Sequence, residues 1–271
     1  MNETPPISDP SKSSPEASQV PQPPAQPQSV RVEIPRSAPY ITYTIIAITV
    51  IFYILQLASV WALGYAIPGI GMDWLEYYGA RINEAILAGE LWRFLTPALL
   101  HGSLPHIAFN MYALLSFGTS LERFFGHGKF LLLYLLGAFA GNVASFLFTG
   151  GSYSIGASTA IFGLLGAEAV FLIQNRQVFP GQFRSAIGNI IFIAAINLFI
   201  IGSLPGIDNW GHIGGLIGGL MFTSFAGPLW EIRGDYPNFR PVDRRSFRAA
   251  MTGAAVVVLI FGALALWGMV R

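Results

Sequence analysis

Four side chains with chemistry to offer fall in three separated stretches. Ser158 stands in Gly156-Ala157-Ser158-Thr159-Ala160, and His212 in Gly211-His212-Ile213-Gly214-Gly215. His106 and Asn110 are four residues apart and so share one helix face. A serine hydroxyl becomes a useful nucleophile when a base takes its proton. A neutral imidazole suits that task and can pass the proton on to a leaving amine. Gly156 permits an unusual backbone ahead of a helix. The first turn of that helix leaves N–H groups free to receive an oxyanion, and His106 and Asn110 are further donors. Phe162 follows Ser158 by one turn and is placed to stack on an imidazole.

Each residue also has a plainer reading. Ser158 serves as a helix cap or packing residue, and His212 as a histidine bonded to a neighbouring carbonyl. His106 and Asn110 form an interhelical hydrogen-bond pair, and Phe162 is an ordinary core or lipid-facing aromatic. No carboxylate lies within the helix expected to carry His212. Asp208 comes one turn earlier, in the preceding loop, so a catalytic pair here is a dyad rather than a triad. A metal is the competing use of His101, His106 and His212. The sequence has no HExxH and no Asp or Glu in the membrane part of the site, which argues against zinc. No cofactor is implied. With no cysteine, disulfides, thiolate metal sites and cysteine nucleophiles are excluded. His127, beside Lys129, reads as a solvated loop residue.

The elements that must position these groups are membrane helices. The chain has 271 residues, 53% hydrophobic and 11% charged, with a mean hydropathy of +0.55. Soluble domains carry about 25% charged residues. A net charge of +1 argues against nucleic acid as a partner. Residues 1–40 hold ten of the 18 prolines with seven serines and four glutamines, and read as a disordered tail. Apolar runs then approach the ~20 residues needed to cross a bilayer. They are Thr42–Ala66, His106–Leu121, Phe130–Thr149, Ser158–Ile173, Ala186–Ser203, Trp210–Ala226 and Ala249–Val270. Gly211, Gly215 and Gly219, four apart, allow close helix packing.

Seven crossings divide the basic residues unequally. Twelve of the 15 Lys and Arg fall on the side of the amino terminus. The other side keeps Arg81, Arg93 and Arg271. This places the amino terminus in the cytoplasm. His106, Asn110, Ser158 and His212 then all lie at the outer starts of even-numbered helices, at one depth. Polar groups in a membrane are costly and usually functional. The long first connection, Ile67 to Pro105, is expected to be partly helical and to lie in the outer interface.

Taken together these residues resemble the rhomboid family of intramembrane serine proteases. The likeness runs from about Tyr78 to Gly227. It includes Tyr78-Gly79-Ala80, Gly89-Glu90-Leu91-Trp92-Arg93, His101, His106-Ile107-Ala108-Phe109-Asn110, Gly156-Ala157-Ser158 and Gly211-His212-Ile213-Gly214-Gly215. The resemblance implies an all-α polytopic membrane bundle, with a six-helix core plus one C-terminal transmembrane helix. Residues 41–227 would form the catalytic core, and 228–271 a basic cytoplasmic loop and the seventh helix. It implies Ser158 as nucleophile and His212 as general base. His106 and Asn110 would join the Ser158 N–H as oxyanion donors, Phe162 would stack on the imidazole, and Trp92 and Arg93 would hold the first loop. Transmembrane proteins are the implied substrates, cut near the outer face of a membrane, the bacterial inner membrane in this reading. One departure is Thr159, where the family's GxSG motif has glycine. A β-branched residue there narrows the backbone beside the oxyanion site. A silent relative that binds transmembrane clients is therefore the alternative. A small-solute transporter is a third reading, opposed by the lack of an inverted repeat and of acids within the spans other than Glu168.

Overall fold

A computed structural model describes residues 37–271 apart from 151–152, 179–180, 182 and 236–237. Most of the expected tail lies outside the described residues. Helix α1 is Tyr40–Leu63. Two short helices follow in the first connection, α2 (Trp74–Gly79) and α3 (Asn83–Leu87). Next, α4 (Leu104–Ala113) passes through a π-turn, Leu114–Gly118, into α5 (Thr119–Phe125). Then come α6 (His127–Phe148), α7 (Ser158–Gln174), α8 (Phe183–Ala195) and α9 (Asn209–Ala226). A hairpin of β1 (Trp230–Arg233) and β2 (Arg240–Asp243) precedes α10 (Phe247–Val270).

Each of the seven expected spans coincides with a helical segment. Four of these segments are long and apolar enough to cross a membrane on their own: Tyr40–Leu63, His127–Phe148, Phe183–Ser203 and Phe247–Val270. The segment Leu104–Phe125 is interrupted by its π-turn, and α7 has only 17 residues. The glycines of α9 dilute its apolar character. The two-stranded hairpin departs from the plain basic loop expected over 228–248. Its strands have four residues each, too short to leave a periodic signature.

The centre of the bundle is α6, α7 and α9. Lipid supplies no hydrophobic force between helices, so close packing of small residues must hold them. At the α6–α7 crossing, a Cβ on Gly137 would come within 3.2 Å of the Gly163 Cα. Helix α1 is held differently. Glu122 on α5 is fully buried and accepts from Ile41 N (2.8 Å), Thr42 N (2.7 Å) and Thr42 Oγ1 (2.7 Å). This satisfies first-turn donors that would otherwise be orphaned. His127, expected to be merely solvated, pairs with the same carboxylate at 2.6 Å, because α6 begins directly beneath Glu122. Lower on α1, buried Gln56 donates to Asp73 Oδ2 at 2.8 Å and accepts from His101 N at 3.1 Å.

The first connection is partly helical, as expected. Asp73 caps α2 through Leu75 N and Glu76 N, and Glu76 returns the contact to Asp73 N. Burial, then the neighbouring Asp73 charge, push the Glu76 carboxyl up to about 7. Arg93 donates to the Ala80 and Tyr77 carbonyls at 2.7 and 2.8 Å and pairs with Glu90. Trp92 Nε1 donates to Tyr78 O at 3.1 Å. These bonds fold the connection onto itself.

Candidate active site

Ser158 is the first residue of α7, and the chain leading into it is stitched to the first connection. Arg81 and Ser154 exchange two backbone hydrogen bonds at 3.0 and 3.1 Å, and Gly156 N donates to Pro97 O at 2.9 Å. Gly156 has φ +124°, which only glycine adopts freely. Space forbids a side chain there as well. A Cβ would lie 2.7 Å from His106 Nε2 and 3.7 Å from Ser158 Oγ. His106 and Ser158 thus both border the small space beside Gly156.

His212 lies in the first turn of α9, and its Nε2 is 2.9 Å from Ser158 Oγ. For the hydroxyl to donate, the imidazole must be neutral with its proton on Nδ1. That Nδ1 is buried and has no hydrogen-bond partner among the described residues. The ring of Phe162 stacks on His212 with centroids 4.3 Å apart and planes 9° apart. Three of the residues singled out in the sequence, Ser158, His212 and Phe162, are therefore in direct contact.

His106 packs edge-on against His101, with ring centroids 4.9 Å apart. His101 is almost fully buried, and burial followed by the neighbouring His106 pushes it down to about 3. It is thus a neutral ring, and its Nε2 accepts the Ala157 N–H at 3.4 Å. Asn110 sits one turn below His106. Its Nδ2 donates to the His106 carbonyl at 3.0 Å, so in this state the amide is engaged within its own helix.

Thr159 fits a regular helix and is buried. Room for its branched side chain comes from α6. A Cβ on Gly141 would lie 2.6 Å from Thr159 Cβ and 2.6 Å from Gly211 O. The extra atoms at 159 are thus matched by absent atoms at 141. Sequence reading missed this pairing, because no local pattern links positions 141 and 159. It also missed the bonding of Asp208. That residue is the N-cap of α9, not a free loop acid, and its place directly before an apolar run was the available signal. Glu168 lies ten residues beyond Ser158, with its buried Oε2 unpartnered among the described residues. No group of three or more His, Cys, Asp or Glu able to hold a metal occurs among the described residues.

Comparison with known proteins gives a consistent result. A family model described as the Rhomboid domain matches residues 88–228. Rhomboid protease GluP of Bacillus subtilis (strain 168) is 42% identical over 191 residues, covering 70% of this chain and 35% of that protein. Two proteins of Arabidopsis thaliana are also similar. RHOMBOID-like protein 9, chloroplastic, is 36% identical over 156 residues, covering 57% of this chain and 36% of its own length. RHOMBOID-like protein 2 is 35% identical over 193 residues, covering 69% and 60% respectively. The chain thus spans between about a third and three fifths of the length of these relatives.

Proposed function

The chain belongs to the rhomboid family, and on that premise we propose that it is an intramembrane serine endopeptidase working through a Ser158–His212 dyad. Its substrates in this reading are single-span membrane proteins, cut near the outer face of the bilayer. The observation that carries the reading is the 2.9 Å contact between Ser158 Oγ and His212 Nε2 at the entrance to two neighbouring helices. The name of the Bacillus relative, a rhomboid protease, points the same way.

The chemistry follows from these groups. His212 Nε2 accepts the Ser158 proton as Oγ attacks the substrate carbonyl carbon. The resulting oxyanion is received by the Ser158 N–H and by His106, with Asn110 joining once its amide turns from the His106 carbonyl. The C–N bond then breaks, and the protonated His212 gives its proton to the leaving amine. A water deprotonated by His212 attacks the acyl ester, releases the new carboxylate and restores the Ser158 hydroxyl. Phe162, flat against the imidazole, holds the ring in plane for both transfers. Water must reach the site through a polar cavity, since hydrocarbon leaves such groups unsatisfied.

The proposed orientation, with the site toward the exterior and the amino terminus in the cytoplasm, is supported by the bias of twelve basic residues to one side. The alternative of a silent client-binding protein leaned on Thr159. Its accommodation against Gly141 weighs for activity, because the helix start is not distorted by the extra side chain. Reconstitution in liposomes with a single-span reporter substrate is the test. The parent chain should cleave it, and Ser158→Ala and His212→Ala should not. A fluorophosphonate should label the parent and not Ser158→Ala. Equal cleavage by Ser158→Ala and the parent refutes the assignment.

A further inference from the structure

We propose that Asp208 is a positioning residue for His212: it locks the first turn of α9 against α6 and keeps a fixed negative charge one helical turn from the imidazole. The inference rests on the dyad reading above. A catalytic imidazole needs something to hold its orientation and to stabilise its protonated form. Here no side chain meets His212 Nδ1 among the described residues. Orientation must come from the Phe162 stack and from the backbone turn that carries the ring.

Asp208 fixes that turn. Its carbonyl accepts from His212 N at 3.1 Å, and its Oδ1 accepts from Gly211 N at 2.9 Å. The same carboxylate accepts from Ser145 Oγ and, at 3.1 Å, from Thr149 Oγ1. Ser145 and Thr149 are four apart at the end of α6, so one carboxylate joins two helices. Ser154, on the chain entering Ser158, donates to it as well. The bonds therefore tie the starts of α7 and α9, where the two reacting residues sit, to a common centre.

The charge is held equally firmly. Arg81, fully buried, donates to Asn83 Oδ1 at 2.6 Å and has Nε and Nη2 without hydrogen-bond partners among the described residues. Its charge faces Asp208 and Glu84. Burial raises the Asp208 carboxyl, but the bonds from Ser145, Ser154 and Gly211, with the Arg81 charge, outweigh it and leave the group below its ordinary 3.8. Asp208 is therefore ionised at neutral pH. The charged and titratable groups around the pair are Arg81 and Glu84 from the first connection, and His106 across the site. When Ser158 gives up its proton, Asp208 is the carboxylate whose field the imidazolium feels.

Asp208→Asn keeps a capping oxygen and removes the charge, and Asp208→Ala removes both. Each is compared with the parent and with Ser158→Ala in liposomes. The measurements are thermal unfolding, cleavage of the reporter substrate across pH, and the rate of fluorophosphonate labelling. Asp208→Asn should lose on the order of tenfold in kcat/KM at unchanged KM, with some fall in Tm because the Ser145 bond and the countercharge of buried Arg81 are lost. The acid limb of its pH profile should move to lower pH, and labelling should slow in step. Asp208→Ala should add a further fall in Tm. Asp208→Asn with the parent's rate and pH profile overturns the inference, as does a loss that tracks Tm with the profile unmoved. If Ser158→Ala instead cleaves and labels as the parent does, the dyad reading itself has failed.

Discussion

Helices α6 and α8 are both apolar and both long enough to span, with α8 continuing to Ser203, yet they are held very differently. Of the most apolar stretch of α6, 72% is buried inside the protein, against 6% for α8. The first is surrounded by α7, α9 and α10, with glycines admitting neighbouring backbone. The second leans on α7 and is tied at its far end by Asn209 Nδ2, which donates to Leu198 O at 2.9 Å and Gly202 O at 3.2 Å. Helix α1 is a third case, with 17% of its most apolar stretch buried but two polar anchors, Glu122 and Gln56. In lipid a helix is fixed by close backbone approach or by buried hydrogen bonds, and hydrophobicity alone fixes nothing. The reacting residues sit on the helices of the first kind.

Four substitutions probe this contrast, with unfolding followed in detergent micelles. Glu122→Ala should have the largest effect. It strands the Ile41 and Thr42 donors in a buried place and should cost about 3 kcal/mol, with α1 the first element to exchange its amide hydrogens. Gly141→Ala comes next. The new methyl meets both Thr159 and the Gly211 carbonyl, so a loss of about 1–3 kcal/mol is expected, with cleavage falling more steeply than stability. Phe162→Leu, which keeps most of the buried volume and removes the flat ring, should slow cleavage about tenfold with a smaller stability change, the signature of a freed imidazole. At the other extreme, Gly188→Ala on α8 has nothing within 4 Å and should be neutral or slightly stabilising, within about 1 kcal/mol. A large loss at Gly188 would mean that α8 is packed more tightly than its exposure indicates.

A pH dependence sharpens the picture at the first connection. Glu76 is raised to about 7 from 4.5, so the folded state binds its proton more tightly than the unfolded one. The resulting stability is complete below about 4.5 and is lost as pH rises through 7. Stability should therefore fall across that interval in the parent, and Glu76→Gln should flatten the curve. An unchanged slope in the variant would assign the titration to another group.

Much of the site was legible because polar residues stand out in apolar runs. Ser158, His212, His106 and Asn110 are conspicuous in their surroundings, and small neighbours signalled close approach. Helix positions followed from the length of each apolar run. What escaped notice depends on partners far away in sequence. Nothing local says that Ser145 and Thr149 point at Asp208, that Gly141 makes room for Thr159, or that His127 meets Glu122. The hairpin was hidden because Lys129 and Asn175 anchor it from other elements. Lys129 Nζ reaches Asp243 Oδ2 at 2.8 Å, and Asn175 Oδ1 receives Trp230 N at 2.8 Å. Its arginines read only as a topogenic charge cluster.

Gly156 carries a consequence for descent. Its backbone torsion and the imidazole pressed against it each exclude a side chain, for unrelated reasons. Relaxing one leaves the other in force, so no single compensating change opens the position. Positions 141 and 159 are complementary in space, a missing side chain facing an extra one. Residue 156 has no such partner, and any chain that keeps the histidine in this place is held to the smallest amino acid there.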